Sequence, residues 1–221
     1  MKSIFLINVL IFCAIRLFSQ TFGGGIMAGL SASQLDGDNW GGYNKAGLTF
    51  GVFTNAPLTK YIDAQLEIRY VQKGSKSKGD DQPVFYLSKL NYVEMPVFLK
   101  YSFLKRFSFN IGIAAGYLQK ATEDKDGIGD LPADPAFNKF EFSGLAGVEY
   151  RFLEQMYFNV RFNYSVLPIR SHPGDQSFYL NQGQYNNVLT FTVNYEISSS
   201  DGTKRKNDCG CIKRSKRFGL R

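Results

Sequence analysis

Three clusters in the sequence carry residue types that can do chemistry. His172 is the single histidine. With Ser171 or Ser177 as nucleophile and Asp175 behind it, it would assemble the triad of an acyl hydrolase or acyl transferase. Its neighbours Pro173 and Gly174 put it in a loop and nothing in the spacing holds these side chains together, so a loop histidine is expected and no catalytic residue. Glu123, Asp124, Asp126, Asp130 and Asp134 surround Gly127 and Gly129 and offer the oxygen ligands that divalent cations take. Their spacing departs from the EF-hand loop, so a solvated acidic loop without a metal is expected. Cys209-Gly210-Cys211 would give two thiolates, an incomplete zinc site. One intervening residue makes an internal disulfide tight, which leaves a disulfide to a partner chain or a reactive pair as open readings. The glycine-rich stretches lack the lysine and helix of a phosphate loop, and no cofactor is expected.

A fourth set lies within segments of alternating polarity. Asp63, Glu67, Arg69, Glu94, Lys100, Glu149, Arg151, Arg161 and Glu196, with Glu141 beside them, all fall on the polar face of a segment whose other face is apolar. Both signs are present. A paired, hydrogen-bonded ionic network filling a narrow interior offsets the desolvation of each charge, and is the expected arrangement. A proton relay is the functional alternative for the same residues.

Eight segments position these charges: approximately 23–33, 45–55, 61–73, 87–103, 107–118, 140–152, 156–167 and 187–197. Most have the roughly 9 to 11 residues of a tilted strand crossing a membrane. In the third, Ile62, Ala64, Leu66, Ile68 and Tyr70 oppose Asp63, Gln65, Glu67 and Arg69; in the last, Leu189, Phe191, Val193, Tyr195 and Ile197 oppose Thr190, Thr192, Asn194 and Glu196. Connections alternate long (34–44, 74–86, 119–139, 168–186) with short (55–60, 104–106, 153–155), as in a barrel whose turns face one side and loops the other. The predicted fold is all-β: an eight-stranded antiparallel transmembrane β-barrel with short periplasmic turns and long extracellular loops. A soluble β domain shares the period of two, but charge confined to the minority face favours the membrane barrel. Pro96 would remove a ladder bond, so a bulge or bend is expected there.

The ends frame this domain. The apolar run 4–15 behind Lys2 reads as an export signal covering 1–20, with cleavage near Ser19 or Gln20, and 21–197 is the barrel. The tail 198–221 holds eight basic and two acidic residues against a chain total of +7, so the body is close to neutral and no nucleic-acid partner is expected. Lys204, Arg205, Lys206, Cys209, Cys211, Lys213, Arg214, Lys216 and Arg217 form the candidate partner-binding tail on the periplasmic side. A solvated, disordered end is its simpler reading.

The stretch Glu67-Ile68-Arg69-Tyr70-Val71-Gln72-Lys73-Gly74, then Leu90-Asn91-Tyr92-Val93-Glu94-Met95-Pro96-Val97-Phe98-Leu99-Lys100-Tyr101, and Arg161-Phe162-Asn163-Tyr164 with Gly112, Gly116, Gly144 and Gly147, resembles the PorT family of small outer-membrane barrels of Bacteroidota. The resemblance covers about 22–197. It implies an outer-membrane barrel, and its founding member is an accessory of the type IX secretion system. The basic tail is outside the family's common pattern. The expected role is therefore a non-enzymatic structural or accessory subunit of an envelope complex, such as type IX secretion or gliding machinery. Its surroundings would be outer-membrane lipid and lipopolysaccharide, with a protein partner in the outer membrane or periplasm. A small passive channel and a lipid-modifying enzyme are the alternatives, and bulky Tyr92 and Phe98 on the lumen face count against the channel.

Overall fold

The computed structural model describes residues 22–38, 40–78, 85–171 and 183–198. The expected export segment, the tail from residue 199 onward with Cys209 and Cys211, and His172 with Asp175 and Ser177 lie outside them. Nine strands are described: β1 (Gly23–Asp36), β2 (Lys45–Pro57), β3 (Ile62–Lys76), β4 (Tyr86–Ser102), β5 (Phe107–Lys125), β6 (Leu131–Pro132), β7 (Phe140–Arg151), β8 (Met156–Ser165) and β9 (Tyr185–Ser198). β6 is a two-residue addition pairing Thr122 and Glu123 of β5. The other eight form one antiparallel sheet of sequential neighbours that closes where β9 pairs with β1. Closure leaves no free edge, so each wall strand has a hydrogen-bonded neighbour on both sides.

Several strands run past the expected boundaries at the loop end. β5 continues to Lys125 and β3 to Lys76, so the wall there stands taller than hydrophobic alternation alone predicts. The alternation itself holds along the wall. Leu66, Ile68, Val93, Met95, Val97 and Leu99 are exposed on the outside, while Gln65, Glu67, Arg69, Glu94 and Lys100 are buried inside. Apolar outside and charged inside inverts the soluble arrangement and matches a wall facing lipid.

Pro96 interrupts the ladder without a register shift of its own. The β3–β4 ladder is interrupted opposite it, between Leu66↔Val97 and Arg69↔Glu94, yet the register is the same on both sides of the gap. The register shift in β4 falls instead at Asn91/Tyr92 against β5. Two successive pairings, Glu67 with Pro96 and Ile68 with Met95, are thus missing from the ladder, while the bulge sits higher up the wall. Two glycines make room for the interior. Gly51 and Gly147 are the cross-strand partners of Arg69 and Arg161. A Cβ at Gly51 would lie 2.7 Å from the Arg69 Cβ, and one at Gly147 would lie 2.8 Å from the Asn110 Oδ1 and 3.0 Å from the Arg161 Cα. The widest lumen side chains therefore stand beside positions with no side chain of their own.

Candidate functional site: the sealed barrel interior

Alternation on seven strands turns the polar side chains of β2, β3, β4, β5, β7, β8 and β9 into one enclosed column. At the turn end, Glu196 accepts from Asn55 at 3.1 Å and from Arg151 at 2.7 Å. Glu149 pairs with Lys100 at 2.8 Å and accepts from Asn159 at 2.8 Å. The Lys100 ammonium lies 4.5 Å from the centre of the Tyr157 ring, and the Arg151 guanidinium 5.2 Å from it, so one aromatic face serves two cations. Asp63 is half-buried at this end, the cross-strand neighbour of Lys100.

Above this layer Arg161 forks onto Glu67, with Nη1–Oε2 2.8 Å and Nη2–Oε1 3.0 Å, and lies 4.3 Å from the centre of the Phe98 ring. Gln65 donates to Glu67 at 3.0 Å. Next, Arg69 donates through Nε and Nη2 to one oxygen of Glu94 at 2.9 and 2.7 Å. Lys73 bridges the other Glu94 oxygen, at 2.5 Å, to Glu141 at 2.7 Å, and Asn186 donates to the second Glu141 oxygen at 2.7 Å. Charge-assisted bonds of this kind hold each long side chain to one geometry.

The expected lumen residues are thus placed inside, in three tiers rather than as one continuous chain. In the uppermost tier Lys73 lies outside the candidate set. Glu141, placed on the polar face beside the candidate charges, finds Lys73 as its partner. Lys73 continues the period of two from Asp63 through Arg69 and Val71, and reading that face two residues further would have found it.

The loop end carries a different layer. Leu35, Val71, Leu90, Tyr92, Leu118, Phe137 and Ile169 form an apolar cluster across the mouth. Phe137 and Ile169 come from the segments that follow β6 and β8, so two connections fold inward and supply its lid. Over it, Arg170 pairs with Glu123 at 2.7 Å and lies 3.9 Å from the Phe137 ring centre, and the Tyr86 hydroxyl donates to Glu123 at 2.7 Å. This corrects the reading of a wholly solvated acidic loop. Glu123 is on β5, buried and ion-paired, and Asp130 pairs with Lys89 at 2.7 Å. No arginine pairing at Glu123 was legible, because Arg170 sits in a connection with no periodicity.

Asp38, in the connection after β1, is half-buried at the same end, within electrostatic reach of Arg170. Its carboxyl is raised from 3.8 to about 6, chiefly by burial and further by Asp36, against the opposing effects of Ser75, the Trp40 N–H and Arg170. A carboxyl raised on folding favours the folded form while it is protonated. That contribution is whole below about pH 4 and is lost as pH rises through about 6. The Trp40 amide, which donates to Asp38 at 2.8 Å, is therefore expected to show more hydrogen-exchange protection at pH 5 than at pH 7.5, after correction for intrinsic rates. Asp38→Asn is expected to flatten this difference; an unchanged pH dependence in that variant would assign it to another group.

Among solved structures, the chain is similar to Ail, the attachment invasion locus protein of Yersinia pestis, crystallised with the heparin analogue sucrose octasulfate. That match has 12% identity and a TM-score of 0.46, over 79% of this chain and 98% of that one. Neisserial surface protein A matches with 12% identity and a TM-score of 0.46 over 79% and 96%. OprG of Pseudomonas aeruginosa matches with 14% identity and a TM-score of 0.40 over 81% and 98%. No curated protein sequence matches. The family model described as outer membrane protein beta-barrel domain matches residues 18–170. The closed eight-stranded wall with its apolar exterior agrees with that match, and this chain is a member of the outer membrane protein beta-barrel family, a small barrel of the outer membrane.

Proposed function

We propose that the chain is a non-enzymatic accessory subunit of an envelope complex, with a sealed barrel as its membrane anchor and its contacts made outside the lumen. The observation that carries this reading is the filled interior, with three ion-paired tiers beneath an apolar lid. An eight-stranded barrel is only wide enough for its own side chains, and here those side chains neutralise one another. In this reading 1–20 is a removed export signal and both mature termini lie in the periplasm, below the short turns. The segment 198–221 is the partner-binding element, with Lys204–Lys206 and Lys213–Arg217 meeting an acidic surface. The resemblance of the Leu90–Tyr101 stretch to the PorT family directs the choice of complex toward type IX secretion or gliding machinery.

The test is purification from native outer membranes in mild detergent, comparing the full chain with one ending after Ser200, under reducing and non-reducing conditions. A stoichiometric partner that is lost with the tail is the expected result, with the loss also produced by Cys209→Ser/Cys211→Ser if a disulfide links them. A solitary barrel in both preparations would overturn the accessory-subunit reading.

A further inference from the structure

The outer wall changes character abruptly at one height on one side. Down the outward column of β4, Tyr101, Leu99, Val97, Met95 and Val93 are exposed and apolar. With a rise of ~3.4 Å per residue and a tilt of ~40°, Tyr101 to Val93 climbs about 20 Å along the barrel axis, most of the ~25 Å apolar band of an outer-membrane barrel. The next outward positions are Asn91 and Lys89, and Lys89 stands about 10 Å above Val93 by the same arithmetic.

The neighbouring columns repeat the switch. On β3, Leu66, Ile68 and Tyr70 give way to Gln72 and then exposed Lys76. On β5, Ile111, Ile113 and Tyr117 give way to exposed Lys120, which pairs across the sheet with Asn91. Lys45, at the start of β2, lies within electrostatic reach of Lys89 and Lys76. Among the described residues, Asp130 is the anion paired with this group, bound to Lys89, with both side chains about two-fifths exposed. A tall, lysine-bearing wall directly above a lipid-facing band is placed where the headgroups of the loop-side leaflet must lie.

We propose that this outward face of β3–β5, Lys76, Lys89 and Lys120, binds the phosphate groups of the outer-leaflet glycolipid. Lysine ammoniums at headgroup depth pair with phosphate while their stems lie along the apolar wall. Because the lysines cluster on one side, the barrel is fixed in rotation as well as in depth, presenting a defined flank to its neighbours. The inference rests on the orientation proposed above, in which the loops face outward; an epitope inserted at Gly127 and detected on intact cells reads that orientation separately.

The test uses the full chain folded in nanodiscs containing purified lipopolysaccharide, or the same lipopolysaccharide after enzymatic dephosphorylation, with lipid retained after detergent washing counted by native mass spectrometry. Folding is monitored by the mobility difference between unheated and boiled protein. Lys76→Glu/Lys89→Glu/Lys120→Glu is expected to retain at least fivefold less phosphorylated glycolipid than the wild type, and the wild type to retain at least fivefold less of the dephosphorylated form. Reversal at the turn end, Lys60→Glu/Lys105→Glu, should leave retention unchanged. Should the triple reversal fail to fold, Lys76→Gln/Lys89→Gln/Lys120→Gln replaces it with the same expected direction. Equal retention of the two lipid forms by the wild type, or undiminished retention by a folded triple variant, would overturn the proposal.

Discussion

Glu67→Leu is expected to destabilise the barrel by about 3–5 kcal/mol, the cost of leaving one partner of a buried ion pair without the other. Glu67 is fully buried, and both of its oxygens are held by Arg161, whose guanidinium is otherwise enclosed by the Phe98 ring. Losing the carboxylate leaves Arg161 charged in a space from which it has no short path to water. Glu67→Leu/Arg161→Met should recover most of the loss, because the desolvation of the two ions nearly balances their attraction. Urea titration in detergent micelles, with folded barrel quantified by gel mobility, measures all three variants against the wild type. A double variant no more stable than Glu67→Leu alone would mean that interior packing, not charge pairing, sets the cost.

Much of this architecture was readable in advance because a barrel wall is nearly periodic. Alternation gave the faces of β3, β4, β8 and β9, and the long-short spacing of connections gave closure. Lys100, Glu149, Arg161 and Glu67 fell on the inward face for the same reason. What alternation cannot encode is who pairs with whom across the bore. Glu67 and Arg161 are 94 positions apart and meet only because the sheet closes. Lys73 escaped because hydrophobic patterning weakens toward the loop end, where the strand leaves the lipid and its outward residues, Gln72 and Lys76, turn polar. The lid was equally invisible. Phe137 and Ile169 lie in irregular segments rich in proline and aspartate, and only the folded mouth shows that such segments turn inward.

The second large effect concerns conduction, which two layers of different physics oppose. The wild-type barrel is expected to show no discrete conductance steps in planar bilayers. Phe137→Gly/Ile169→Gly removes the lid's largest inward side chains and abolishes any dewetted barrier, yet it too should stay silent. Below it, Arg69, Lys73, Glu94 and Glu141 still cross the bore with interlocked bonds of 2.5–2.9 Å. Lys73→Ser/Glu94→Ser, with the lid intact, opens space in the ionic tier beneath a dry apolar seal and should likewise not conduct. The combination of lid and tier variants should let water run from the mouth to the gap left beside Tyr92. Steps are expected only when Glu67→Ser/Arg161→Ser and Lys100→Ser/Glu149→Ser are added, because the two lower tiers fill the bore beneath that gap. Conduction by the lid variant alone would show that ions slip past the paired tier, so that the apolar cluster is the only seal. Steps in the lid-plus-tier variant without those additions, once its folded mobility is verified, would show that the tier where Arg161 lies over Phe98 does not close the bore.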